Sequence, residues 1–162
     1  MNGAEFIASV IATGRLHGVG IGSSLADAEK AFHPSFLDDP GEPENLSLRR
    51  DYGLVELYFN GGPDWVLVGA SVELHRLATV ENLAAEWREE QGVDFSEYLT
   101  WDEVEAELAR LPSPPDLTVR TDQGDYTEYR AAATRVSVLV VSSDEERDDW
   151  PGRGDVFSVA LG

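Results

Sequence analysis

The most informative segment of the chain consists of two apolar runs joined by a turn: Tyr52-Gly53-Leu54-Val55-Glu56-Leu57-Tyr58-Phe59, then Asn60-Gly61-Gly62-Pro63, then residues 65–74. The Asn-Gly-Gly sequence supplies the positive φ that a tight turn between antiparallel strands requires, so the segment predicts a β-hairpin. Side chains alternate between the two faces of a strand. One predicted face is aliphatic, and the other carries Tyr52, Glu56 and Tyr58 from the first strand with Trp65 and Glu73 from the second.

Four segments outside the hairpin have the apolar spacing of amphipathic helices. They lie near residues 3–12, 25–32, 80–87 and 101–111. Three of them follow a capping pair in which a polar side chain precedes an acid by three residues: Asn2 with Glu5, Ser24 with Asp27, and Thr100 with Glu103. Thr79 is the predicted cap of the third helix, without such an acid.

Further strands are predicted at residues 117–121, 126–131, 134–141 and 156–161. The order of helix, loop, helix, strand, strand then occurs twice, in halves of about 1–77 and 78–162, and the caps Ser24 and Thr100 occupy matching positions in the two halves. We therefore predict an α+β fold in which two αα-ββ repeats form one antiparallel sheet with helices on one face. No linker separates the halves, so residues 1–162 should form a single globular unit.

The composition excludes several classes of function. The chain has 162 residues, of which 31 are acidic and 12 basic, giving a formal net charge of −19. A field of this sign repels phosphate backbones and anionic lipid and attracts basic surfaces, so we expect neither a nucleic-acid nor a membrane partner. The absence of cysteine excludes disulfides, thiol nucleophiles and cysteine-based zinc sites. Four tryptophans, five tyrosines and six phenylalanines are too many for an acidic disordered tail.

The sequence also suggests a compartment. No apolar run approaches the roughly 18 residues of a membrane span, and Glu5 lies where a signal peptide would carry positive charge. We therefore expect a cytoplasmic protein. Lysine occurs only once, at Lys30, which is typical of a G+C-rich bacterial genome.

Two segments resemble known families. Residues 22–34, from Gly22 to Pro34, together with the hairpin, resemble the repeat unit of the β-lactamase inhibitory proteins and of small lipoproteins of outer-membrane assembly, although Phe32-His33-Pro34 departs from their usual Leu-Gly-x-Pro ending. Residues 48–57, Leu-Arg-Arg-Asp-Tyr-Gly-Leu-Val-Glu-Leu, are similar to a stretch in small acidic immunity-type proteins of actinobacteria. Both resemblances imply an inhibitor that binds another protein with the uncovered sheet face, and neither implies catalysis.

We therefore expect a non-catalytic protein-binding module, most concretely an immunity-type inhibitor that occludes the cleft of a basic toxin or enzyme. Aromatic side chains would anchor the partner, and acidic side chains would pair with its basic groups. The candidate partner-binding residues are Tyr52, Glu56, Tyr58, Trp65, Glu73, Tyr126, Glu128 and Trp150. Ordinary cross-strand packing explains each tyrosine equally well.

Other functions remain open at this point. A small-molecule-binding or enzymatic domain would need a pocket between sheet and helices. Separately, Glu56, Glu73 and Glu128 could converge on one sheet face and supply acid–base groups there. A structural subunit would instead pair with itself through a sheet edge. No histidine pair has the spacing of a zinc helix, and neither acidic stretch, 38–44 or 144–150, has calcium-loop spacing, so we expect no metal or cofactor.

Overall fold

The computed structural model describes residues 1–162. It contains four α-helices and eight β-strands. The helices are α1 (Gly3–Thr13), α2 (Leu25–Ala31), α3 (Leu83–Gln91) and α4 (Trp101–Ala109). The strands are β1 (Leu37–Asp39), β2 (Ser47–Asp51), β3 (Val55–Asn60), β4 (Val66–Val72), β5 (Thr118–Gln123), β6 (Tyr126–Ala131), β7 (Val136–Val141) and β8 (Val156–Leu161). Two short 3-10 helices, Pro43–Asn45 and Leu74–Ala78, interrupt the loops.

All eight strands belong to one antiparallel sheet in the order β1-β2-β3-β4-β8-β7-β6-β5. Strands β4 and β8 join the two halves at its centre, where Ala70 faces Leu161 and Val72 faces Val159. This arrangement confirms the predicted α+β class. Each half contains two helices and four strands. The first half has two strands more than predicted, because β1 and β2 precede the hairpin, whereas the four strands of the second half lie close to their predicted positions. The internal duplication itself stays a prediction.

The three predicted capping pairs all form. Asn2, Ser24 and Thr100 each accept a hydrogen bond from the amide three residues on, and the acid there bonds back to the cap amide. These reciprocal bonds satisfy amides that a helix start otherwise leaves unpaired. The third helix begins later than predicted, at Leu83, and Thr79 instead ends the 3-10 helix Leu74–Ala78.

The helices cover one face of the sheet, and the opposite face, which we call the open face, carries no α-helix. On β7, Val136, Val138 and Val140 point into the core, whereas Ser137 and Leu139 are only partly buried. The core is one continuous cluster of 36 buried residues drawn from both halves. The indole of Trp101 on α4 stacks on the ring of Tyr129 on β6, with centroids 4.3 Å apart, and this contact joins the helical layer to the sheet.

No helix is long and apolar enough to cross a membrane.

Candidate functional site

The open face carries a group of packed aromatic rings at one end, where β4 ends and β6 and β8 begin. We define an aromatic cluster there by His75, Tyr126, Trp150 and Phe157. The imidazole of His75 stacks on Phe157 with ring centroids 4.3 Å apart and planes 9° apart. Trp150 lies 5.1 Å from His75 and 5.3 Å from Phe157, and Tyr126 lies 5.0 Å from Phe157. Four rings from separate elements thus form one surface, of which Trp150 is 44% exposed.

The backbone places these four rings together. His75 lies in the 3-10 helix Leu74–Ala78 after β4, and Phe157 lies near the start of β8. The register of β7 and β8 shifts between Leu139 and Val140, which marks an irregularity at the position of Phe157. Such an irregularity re-aims a side chain that strict alternation would bury. The cluster therefore depends on this feature as well as on the pairing of β4 with β8.

Glu73 connects the aromatic cluster to β4. Its Oε1 accepts a hydrogen bond from the hydroxyl of Ser71 at 2.8 Å, and its Oε2 lies 2.9 Å from His75 Nε2. The carboxylate is therefore already used to orient the imidazole on Phe157. Glu73 lies on the open face, as predicted, but it acts first as a support for the rings.

A charged cluster lies beside the aromatic cluster and consists of Arg49, Asp51, Glu56, Tyr58 and Arg76. Glu56 is at its centre, with Oε1 2.7 Å from Arg49 and Oε2 3.6 Å from Arg76. The hydroxyl of Tyr58 donates to Glu56 at 3.3 Å. Burial, with the charge of Glu56 nearby, raises the pKa of Tyr58, so its phenol stays neutral and remains a donor at physiological pH.

Glu56 therefore differs from its predicted role. It points to the open face, yet only 4% of the residue is exposed, and its charge is compensated by two arginines. A partner could pair with Glu56 only by breaking these bonds, and breaking a buried pair leaves the remaining charge uncompensated. The charged cluster is thus a structural network that holds β2, β3 and the 3-10 helix Leu74–Ala78 together.

Tyr52 is the clearest correction among the predicted anchors. It precedes β3 rather than belonging to it, and it is 1% exposed. Its ring stacks on Phe32 with centroids 5.0 Å apart, on the helical side. The predicted strand began three residues too early, so the alternation placed Tyr52 on the wrong face.

Trp65 is a second correction. The register of β3 and β4 shifts between Tyr58 and Phe59, because Gly69 pairs with Tyr58 and Leu67 pairs with Phe59. This bulge adds a residue to β4, so Leu67 turns into the core, and Trp65 packs against the core as well. Val68 is 42% exposed instead of buried.

The remaining candidates lie where they were predicted. Tyr58, Tyr126 and Glu128 are half-buried on the open face, and Trp150 is exposed beside it. Glu128 forms no ion pair with Arg120, the residue opposite it on β5, which pairs with Asp122 instead. Its charge is therefore available to a partner.

The loop that carries Trp150, residues 142–155, is anchored by one buried acid. Asp155 is 1% exposed and accepts two hydrogen bonds from the guanidinium of Arg147, at 2.8 and 2.6 Å, and one from the amide of Gly152 at 2.9 Å. Arg147 also lies over the ring of Tyr98. These contacts fix an exposed loop against the end of the sheet and so hold Trp150 beside His75.

Most carboxylates of this loop are uncompensated. Asp144 pairs with Arg153 at 2.6 Å, and Arg147 is occupied by Asp155. The other acids of the loop form no ion pair; they are Glu145, Glu146, Asp148 and Asp149. Four unpaired carboxylates therefore precede Trp150 in this loop.

Sequence reasoning missed His75 and Phe157. His75 has no second histidine at the spacing of a zinc helix, and Phe157 falls within the predicted strand 156–161. Neither has a local signal, because the contact between them requires β4 and β8 to be neighbours. Trp150 alone stood out, as a large apolar residue in an acidic stretch.

A further groove lies on the helical side. It has a volume of about 420 Å³ and lies between the start of α1, residues 94–99 and α4. Each of its three carboxylates has a neighbour in the chain: Glu103 caps α4, Glu107 accepts a hydrogen bond from Arg110 at 2.9 Å, and Asp94 lies 3.9 Å from Arg88. The first two contacts lie at the start and the end of α4.

No group of three His, Asp or Glu side chains is arranged to hold a metal ion. No family model, curated protein or solved structure matches this chain.

Proposed function

We propose that this chain is a non-catalytic, cytoplasmic protein-binding module, an immunity-type inhibitor that neutralises a basic toxin or enzyme by occluding its cleft. The observation that carries this proposal is the aromatic cluster at the end of the open face, with unpaired carboxylates in the loop that carries Trp150. Exposed aromatic side chains next to charged groups are typical of the residues that contribute most to protein–protein affinity.

The charge supports a basic partner. A net charge of −19 accelerates encounter with a cationic surface, and this acceleration weakens as salt screens it over about 10 Å at 0.1 M. The contacts that slow dissociation would be those of Trp150 and Tyr126, with Glu128 at the side. Tyr58 and Glu73 extend the same surface toward β3.

The geometry also supports steric occlusion rather than chemistry. The acids at the centre of the open face, Glu56 and Glu73, are bonded within the chain. Both carboxylates are held in place by these contacts. An inhibitor needs only a rigid surface of the right shape and charge, which bonded acids supply.

The test is capture followed by neutralisation. The immobilised chain is exposed to an extract of its source organism in 20 mM and 500 mM NaCl, and a retained basic protein is identified and produced in pure form. Its toxicity or enzymatic activity is then measured with increasing amounts of the chain. We expect retention only at low salt and loss of the partner's activity at a one-to-one ratio.

Two variants with similar exposure provide the control. Trp150 is 44% exposed on the open face, and Phe36 is 47% exposed on the other side of the sheet, over the guanidinium of Arg50. Trp150→Ala should weaken neutralisation at least tenfold, which is typical of an anchor residue, whereas Phe36→Ala should leave it unchanged. Equal effects of the two variants, or a captured protein that stays fully active, would overturn the proposal.

A further inference from the structure

A narrow slot opens between the aromatic cluster and the loop of residues 142–155. It has a volume of about 180 Å³ and is lined by Asp125, Tyr126, Val141, Ser143, Glu145, Trp150 and Pro151. Sites for whole metabolites or drug-sized ligands usually measure about 300–1,000 Å³. The slot is therefore of the size that admits one side chain of a partner.

The walls of the slot combine aromatic rings and acids. Tyr126 and Trp150 both pack against Phe157 and supply the apolar walls. Asp125 and Glu145 also line it, and neither carboxylate forms an ion pair within the chain. A cation held between such groups gains attraction from the ring faces and from both negative charges.

One polar group of the slot lacks a hydrogen-bond partner. The hydroxyl oxygen of Ser143 is buried and has no hydrogen-bond partner, which is a costly state for a polar atom. Burial and, second to it, the charge of Asp125 raise the pKa of Tyr126, so its phenol stays neutral. A bound donor would satisfy the Ser143 oxygen, and a positive charge on that donor would be attracted by Asp125.

We propose that this slot receives the guanidinium group of an arginine from the basic partner, an assignment that rests on the proposed inhibitor function and specifies its anchor. Arginine fits better than lysine because its planar group stacks on aromatic faces and directs five N–H donors in fixed directions. Asp125, Glu145 and Ser143, which all line the slot, are the acceptors that it offers to those donors. An ammonium group has only three donors and no flat face.

The test uses small probes and the intact chain. Nα-acetyl-arginine amide, Nα-acetyl-lysine amide and Nα-acetyl-citrulline amide are titrated into ¹⁵N-labelled protein while the indole N–H signal of Trp150 is followed, assigned with Trp150→Phe. We expect saturable shifts with the arginine probe at a dissociation constant on the order of millimolar. The lysine probe should bind several-fold more weakly. The citrulline probe, which has a similar shape but no charge, should cause no shift.

Two double variants test whether arginine binding depends on the charges in the slot or on the total charge of the chain. Asp125→Asn with Glu145→Gln removes two negative charges from the slot, and Glu90→Gln with Glu105→Gln removes two from exposed positions on α3 and α4. The first pair should weaken arginine binding roughly tenfold, and the second should leave it unchanged. Equal weakening by both pairs, equal affinity of the arginine and lysine probes, or the absence of a saturable shift would overturn the assignment.

The slot and the inhibitor function can fail separately. If the captured basic protein is neutralised equally well by the Asp125→Asn, Glu145→Gln variant, the slot is not the anchor although the function stands. If the arginine probe binds in the slot but no basic protein is neutralised, the slot binds arginine although the proposed inhibitor function fails.

Discussion

Removing the negative charge of Asp155 should lower the free energy of unfolding more than any other single substitution in the loop of residues 142–155. Asp155 is 1% exposed and accepts three hydrogen bonds, two of them from Arg147. In Asp155→Asn one carboxylate oxygen becomes an NH₂ group, which cannot accept the bond from Arg147 and faces its donors. A hydrogen bond to a charged group contributes about 1.5–3 kcal/mol.

The size of the loss in the free energy of unfolding depends on how far the guanidinium of Arg147 is rehydrated. Breaking a fully buried ion pair costs about 3–5 kcal/mol. The side chain of Arg147 is 48% exposed and can be rehydrated, so we expect a loss of about 2–3 kcal/mol in the free energy of unfolding. For a chain of this length, that corresponds to a decrease of about 4–12 °C in Tm.

Urea denaturation followed by far-UV circular dichroism measures this loss, and Asp144→Asn is the matched control. Asp144 also lies 2.6 Å from an arginine of the same loop, but its side chain is 95% exposed. An exposed pair of this kind contributes little, so the midpoint of Asp144→Asn should match that of the wild type. A loss for Asp155→Asn below about 0.5 kcal/mol, a typical surface effect, or equal losses in the two variants, would refute the role of Asp155 as the anchor of the loop.

Three further predictions concern stability, each measured by the same urea titration. Gly14→Ala should cost more than Gly18→Ala, because both glycines have positive φ but only a Cβ at Gly14 would lie 2.8 Å from a backbone oxygen; equal costs would contradict this packing. Thr100→Ala should cost about 1 kcal/mol through loss of the α4 cap, and no change would mean that the cap contributes nothing. Burial lowers the pKa of His17, so the unfolded chain binds a proton near pH 6.5 before the folded chain does and stability falls as the pH drops through that value. The difference in stability between wild type and His17→Asn should therefore narrow between pH 7.5 and 5, and a constant difference would contradict the buried neutral imidazole.

Local signals predicted the local structure well. Three helix starts followed from pairs such as Ser24 with Asp27, because a capping box needs only four consecutive residues. The hairpin followed from Asn60-Gly61-Gly62, and Gly61 has the positive φ of 81° that the turn requires. These features depend on neighbours along the chain, which a sequence contains directly.

Features that depend on register were not predictable in the same way. A single bulge in β4 exchanged the faces assigned to Leu67 and Val68, since every side chain beyond an extra residue changes face. Tyr52 lay outside the strand altogether. Strand β1 has three exposed residues and no apolar pattern, so only its pairing with β2 identifies it.

The candidate site was predicted in part. The open face and Trp150 followed from alternation and composition, but the contacts of Trp150 with His75 and Phe157 require the pairing of β4 with β8. For Glu56, the position on the open face was predicted. Its ion pair with Arg49 was not, because Arg49 lies on β2, a strand that the sequence did not predict.

Hydrogen–deuterium exchange of the chain with its captured basic partner tests most directly whether this end of the open face is the contact surface. Amides 144–150 donate no hydrogen bond within the chain, so they exchange rapidly when free and any protection by a partner is easily detected. We predict that binding slows exchange at residues 144–150 and leaves the exposed residues of α3 and α4 unchanged. Protection confined to the helices, with rapid exchange still at 144–150, would contradict the proposed surface.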